Sequence, residues 1–195
     1  MAMKNLALVI ALFAAWAAHA ERANSVVTFG NTDAELCYRA AQTAGVLAGS
    51  LDPCDAALRD RRLSKKDRVA TLINRGILFN HRGDYPAAIA DFEAALALNP
   101  AASAAYVNRG NTYVYSRQLD LAIEDYSISL KMNPRNAHLA HYNRGLVHEA
   151  RREEKLAFAD FVRAAELRPD WEPALTRVQQ YRAKGFDEGD QQAAD

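Results

Sequence analysis

The chain has 195 residues, half of them hydrophobic, with 24 basic against 24 acidic side chains. That length accommodates one ordinary domain, and the apolar content is enough for a core, which excludes global disorder. Zero net charge removes the electrostatic footprint of a nucleic-acid binder; six prolines and nine glycines exclude a collagen-like chain, and two cysteines are too few for a disulfide scaffold or a four-cysteine zinc site.

Residues 1–20 read as a secretory signal peptide. Lys4 is the sole charge before Glu21, and Leu6 to Ala18 form an apolar run of about thirteen residues. A membrane span needs ~20. Ala18-His19-Ala20 supplies the small-residue pattern of a cleavage site, so the expected cut follows Ala20. An uncleaved anchor is the alternative; a lipoprotein is not expected, because no cysteine follows the cut. The mature chain would carry 23 basic and 24 acidic residues. It is expected in the periplasm or outside the cell, with no membrane insertion after cleavage. Residues 21–30 read as a linker.

An oxidising compartment permits a disulfide. Asn31 to about Gly49 reads as a helix, with Ala34, Cys37, Tyr38, Ala41 and Val46 as apolar positions. Gly49 to Pro53 reads as a turn, and Asp52 as the cap of a second helix through about Arg62, with Pro53 at its first position. Two antiparallel helices joined this way bring Cys37 beside Cys54, and a bridge there contributes about 3 kcal/mol on the chain-entropy estimate. Two free buried thiols or a redox pair are the alternatives, although the Cys-x-x-Cys spacing usual for a redox pair is absent. This pair of helices, residues 31–63, would cover one end of the repetitive middle of the chain, as a degenerate further repeat.

That middle region shows a clear period. Asn74-Arg75-Gly76, Asn108-Arg109-Gly110 and Asn143-Arg144-Gly145 are spaced by 34 and 35 residues. Pro100, Pro134 and Pro169 keep the same intervals, as do Ala88, Ala122 and Ala157, the aromatics Phe92, Tyr126 and Phe161, and the preceding Asp91, Asp125 and Asp160. Each period reads as two helices. The first runs from about Asp67 to His81, with a Ser64–Asp67 capping pair, and Gly83-Asp84 breaks it. The second runs from Tyr85 to Leu98, with Ala88, Phe92, Ala95 and Leu96 at helical spacing, and Asn99-Pro100 ends it. Gly76 and Ala88 let the two helices approach closely, and Phe92 fills the space between them. One pair cannot bury its own apolar face, whereas stacked pairs can.

These residues resemble the tetratricopeptide repeat (TPR) family over about Val69 to Trp171. The family pattern falls on Leu72, Gly76, Phe79, Gly83, Tyr85, Ala88, Phe92, Ala95 and Pro100, on Tyr106, Gly110, Tyr113, Leu119, Ala122, Tyr126, Ser129 and Pro134, and on Gly145, His148, Ala157, Phe161, Ala164 and Pro169. The resemblance implies an all-α solenoid of three repeats, 69–102, 103–136 and 137–171. Arg75, Arg109 and Arg144 stand where the family often has leucine, and are expected to glue successive repeats with solvated heads. The third repeat carries one extra residue, expected near His138 to His141, and has Arg152 and Glu154 where the first has Gly83 and Tyr85, so it is expected to be the loosest. Ala174, Leu175, Val178 and Tyr181 share one stripe of a further helix within 172–185, read as a cap stopped at Gly185, and 186–195 as a frayed acidic tail.

No enzyme constellation emerges. A Gly-rich phosphate loop and a Gly-x-Ser-x-Gly elbow are both missing, and His148-Glu149 lacks a second histidine four residues after the first. His138, His141 and His148 lie too far apart along one helix to close on a metal ion. Asp91, Asp125 and Asp160 recur with the repeat, which points to packing or helix electrostatics. No cofactor is expected.

The informative polar residues are Asn74, Asn108 and Asn143. In the family that the chain resembles, the first helix of each repeat lines the concave face, which puts them in register there. A carboxamide both donates and accepts, so three would form a ladder bracketing the backbone of an extended peptide. Asn111, Ile77, Tyr115 and Tyr142 would complete that site, with Ile73, Val107, Leu146 and Asn80 nearby. The other reading is that each asparagine simply hydrogen-bonds the adjacent helix. Family members that hold a chaperone C-terminal carboxylate use lysine and arginine with asparagine on this face; this chain has no lysine at the equivalent positions, so such tails are not expected. The expected function is a protein–protein interaction module for an extended peptide in the cell envelope. The rival is a structural scaffold or self-associating subunit that uses the stack ends or the convex side.

Overall fold

The computed structural model describes residues 32–43, 51–132, 135–187 and 189–190. The expected signal segment, the linker, the expected end of the first helix with the start of its turn (44–50), Pro134 and the last five residues lie outside these. The described residues form helices and no strand: α1 (Thr32–Thr43), α2 (Asp52–Arg59), α3 (Lys65–His81), α4 (Tyr85–Leu98), α5 (Ser103–Tyr115), α6 (Leu119–Lys131), α7 (Ala137–Ala150), α8 (Glu154–Leu167) and α9 (Glu172–Ala183). Among them no helix is long and apolar enough to cross a membrane.

Local chemistry sets the boundaries. Ser64 caps α3, its hydroxyl accepting from the Asp67 amide at 3.1 Å and donating to the Asp67 carboxylate at 2.7 Å. The α2 start differs from the expected one, because Leu51 rather than Asp52 occupies the cap position and makes no side-chain cap bond. The first helix of each repeat ends on a left-handed residue, Gly83 (φ 76°), Arg117 (φ 63°) and Arg152 (φ 63°). The next amide then bonds back to a carbonyl five residues earlier, Asp84 to Phe79, Gln118 to Tyr113 and Glu153 to His148, at 2.8–3.0 Å. Arg152 therefore makes the same turn as Gly83, and the third repeat is not loosened there. Its extra residue falls in the first turns of α7, as expected: α7 begins 34 residues after α5, at Ala137 against Ser103, whereas Asn143 follows Asn108 by 35.

The three consecutive residues of the Asn-Arg-Gly triplet point in three directions, as a step of 100° per residue requires. The glycine faces the aromatic ring of its own second helix. A Cβ on Gly76, Gly110 or Gly145 would lie 2.6 Å from Phe92, 2.8 Å from Tyr126 or 2.9 Å from Phe161, so no larger residue fits without displacing a buried ring. The arginine makes two parallel hydrogen bonds to the aspartate of its own second helix: Arg75 to Asp91 at 2.7 Å, Arg109 to Asp125 at 2.8 Å, Arg144 to Asp160 at 2.8 and 2.9 Å. The remaining Nη1 turns to the preceding unit: to Asp55 at 2.7 Å, to Glu93 at 3.9 Å, and to Ser127 at 2.9 Å. The arginines do join successive units, but their heads are not solvated. Each is a half-buried fork held within its repeat, and the leucine position of the family has become an ion-pair clip.

The core runs along the stack. Phe92, Tyr126, Phe158 and Phe161 are fully buried between the paired helices. Cys37 and Cys54, both fully buried, are disulfide-bonded and tie α1 to α2 against α3. At the other end α9 lays Ala174, Val178 and Tyr181 on α8. The segment beyond Gly185 is less frayed than expected, since Phe186 packs on Phe158 and Tyr181 and Asp190 pairs with Lys155.

Candidate functional site on the inner helix row

Each first helix touches the next, α3 against α5 and α5 against α7, whereas among the described residues the second helices make no comparable contact with one another. The stack therefore curves with α3, α5 and α7 on the inside. The four asparagines expected on that face are buried.

Their bonding differs from a ladder of equivalent positions. Asn108 Nδ2 donates to the Ala104 carbonyl of its own helix at 2.9 Å. Asn143 Nδ2 reaches across from α7 to Asn111 Oδ1 at 2.8 Å, one turn beyond Asn108. Tyr126 donates its hydroxyl to the same oxygen at 2.8 Å. Burial pushes the Tyr126 phenol far above its usual pKa, so it stays a donor at any physiological pH. Two donors on one oxygen fix the Asn111 carboxamide, and its nitrogen and the Asn143 oxygen are left over. Asn111 Nδ2 and Asn143 Oδ1 are buried with no hydrogen-bond partner, as is Asn80 Oδ1 on α3. Asn74, on α3, is buried in the same row.

The remaining expected residues divide. Ile77 is buried in the core. Tyr115 is half-buried and stacks on Tyr85 of α4, with ring centroids 6.0 Å apart. Tyr142 packs edge-on to Trp171 at 4.9 Å, and Trp171 also meets His138 at 5.2 Å. Burial and nearby Arg168 hold the His138 imidazole below its ordinary pKa, which keeps that ring neutral against the indole. The sequence reading did not pick out this aromatic group, because Trp171 follows the last repeat and reaches α7 only through the fold. His141 and His148 are engaged with carboxylates. His141 Nδ1 lies 2.8 Å from Asp160, and His148 Nδ1 lies 2.6 Å from Glu153. Asp160 thus has two hydrogen-bond partners, His141 and Arg144, with His148 Nε2 3.9 Å away. Burial works to raise its pKa, but the His141 and Arg144 hydrogen bonds outweigh it and hold the carboxyl below the usual range.

Comparison with known proteins agrees with this architecture. Two family models, each described as tetratricopeptide repeat, match residues 69–101 and 107–171. The human tetratricopeptide repeat protein 6 is 32% identical over 86 residues, which is 43% of this chain and 16% of that protein. This chain therefore matches only a small part of that relative's length. Among solved structures, the first TPR of Spaghetti (RPAP3) bound to the HSP90 peptide SRMEEVD superposes with a TM-score of 0.56 at 22% identity, covering 61% of this chain and 94% of that one. The first TPR domain of human RPAP3 solved by NMR gives 0.55 at 22% identity, over 58% and 88%. At that identity the likeness speaks for the fold. With the 34- and 35-residue period, the glycine–aromatic contacts and both family matches in agreement, the chain belongs to the tetratricopeptide repeat family.

Proposed function

We propose that the protein is a non-enzymatic protein-interaction module that holds an extended segment of another polypeptide along the inner row of α3, α5 and α7, in the cell envelope. The observation that carries this reading is the inner row itself, in which the first helices α3, α5 and α7 touch one after the next. Asn111 Nδ2, Asn143 Oδ1 and Asn80 Oδ1 lack hydrogen-bond partners but are closed to solvent, so a peptide backbone would reach them only where these helices part. That the first TPR of Spaghetti (RPAP3) is bound to an HSP90 peptide in its structure supports a peptide as the ligand class. Export is supported by the signal-like first twenty residues and by the Cys37–Cys54 bond, which is stable in an oxidising compartment.

Asn143→Leu tests the binding role. It removes an orphan acceptor and one hydrogen bond, effects of opposite sign that offset to within about 1 kcal/mol, so the variant stays folded. A photo-crosslinking amino acid at Tyr115, used in living cells, is expected to give a specific adduct that disappears in the Asn143→Leu background. The same adducts in both backgrounds would move the interaction to the stack ends or the convex side; adducts with a second copy would make the protein self-associating. Mass spectrometry of the protein from cells should show a chain that starts at Glu21, and an intact Met1 would refute export.

A further inference from the structure

Where α3 meets the turn between α4 and α5, the stack forms a cavity of about 580 Å3 that is open to solvent on one side. Its floor is apolar, built from Val69, Ala70 and Ile73 of α3, Leu98 at the end of α4, and Ala104 of α5. Lys65 and Lys66 stand exposed at its edge, Lys66 with an interaction of its own, and none of the lining residues is acidic. α5 also begins at this wall, on Ala102 with no side-chain cap, so the partial positive charge of its first amides has the same sign as the lysines. A volume of this size is in the range that buries a ligand group, and the charge around it selects what accompanies that group.

We infer that this cavity takes an acidic–apolar motif from within the bound polypeptide. One leucine- or phenylalanine-sized side chain lies on the floor, and an aspartate or glutamate one or two residues away faces Lys65 and Lys66. The inference rests on the peptide-binding reading and supplies the sequence preference that backbone contacts to carboxamides lack. It needs no terminal carboxylate, because the anion is a side chain beside the anchor. The recognition is therefore open to the middle of a partner chain.

The test uses the protein produced from its full coding sequence and four synthetic twelve-residue peptides, acetylated and amidated so that side chains carry the only charges. Three contain a central leucine flanked by glutamate, glutamine or lysine; the fourth keeps the glutamates and replaces the leucine with serine. Fluorescence anisotropy at low and high salt reads their affinities. The glutamate–leucine peptide is expected to bind about tenfold more tightly than the glutamine one, with the advantage fading in salt, and the serine peptide is expected to bind weakly. In the double variant Lys65→Glu, Lys66→Glu the order of the glutamate and lysine peptides should reverse. This charge reversal suits the fold, since acidic residues favour a helix start. Ala104→Leu, which fills the cavity from a half-buried helical position, should weaken all the leucine peptides together. Equal affinity for the three leucine peptides, with Asn143→Leu still abolishing them, would overturn this inference and leave the peptide-binding reading standing. Failure of every peptide to bind would overturn both.

Discussion

Asp125→Ala removes one half of the middle clip and leaves the Arg109 guanidinium in place. Asp125 is 3% exposed and Arg109 17%. The two bonds lost are both 2.8 Å, and the other carboxylate near Arg109, Glu93, lies 3.9 Å away and is more than half exposed. The rings of Tyr106 and Tyr113, 5.6 and 5.8 Å from the guanidinium carbon, line the site but cannot replace a carboxylate. Breaking a buried pair by removing one partner costs about 3–5 kcal/mol, and the access of water to Arg109 places this case near 3. For a domain of this size that is a fall in Tm of about 6–12 °C. Replacing both partners, Arg109→Met with Asp125→Leu, should recover stability to within about 1 kcal/mol of the unaltered protein, because the stranded charge is gone. Thermal unfolding of Asp125→Leu, Arg109→Met and their double variant, with Asp125→Ala alongside, followed by circular dichroism at 222 nm, completes the cycle. A single-variant loss below 1 kcal/mol, or a double variant as unstable as the singles, would refute the account of the clip as a buried, mutually dependent pair.

Arg152 sits at φ 63° and exposed, so Arg152→Gly should raise stability by about 1 kcal/mol; an unchanged or lower urea midpoint would count against strain at that turn. Thiol counting on the unreduced protein should find no free thiol, and reduction should lower stability by about 3 kcal/mol for a loop closed by cysteines 17 residues apart. Because the Asp160 pKa lies below its unfolded value of about 3.9, its ionisation stabilises the fold above that pH, and the contribution disappears as pH falls through the lowered value. His141→Ala should therefore raise the pH at which Asp160 titrates, read from its carboxyl carbon shift by NMR, and an unmoved titration would mean that Arg144 alone sets it.

The repeat boundaries were legible because each depends on nearby residues: the 34- and 35-residue period, Ser64 before Asp67, and the Gly83-Asp84 break. The clip was half legible. The sequence shows Arg and Asp recurring 16 residues apart, yet periodicity alone assigns no contact between them, and the leucine that the arginine replaces points to packing rather than pairing. The signal lay in the fixed interval between the two. The inner face was least legible, since its decisive bond joins Asn143 to Asn111, which are not equivalent positions, and no local rule anticipates a contact that stacking alone creates. The lysine-edged cavity is likewise a product of where the α4–α5 turn falls against α3.

Outside its own repeat each clip arginine reaches back to the preceding unit, to Asp55, Glu93 or Ser127, and none of the three reaches into the following one. The polar dependence between units is thus vectorial. Shortening the protein from its C-terminus strands no clip, whereas shortening it from the N-terminus deprives the next arginine of its outer partner. Synthesis runs the same way. Each arginine emerges after its outer partner has been made, and only sixteen residues of further growth deliver its own aspartate, so the stack is wired to assemble in the order in which a ribosome would release it.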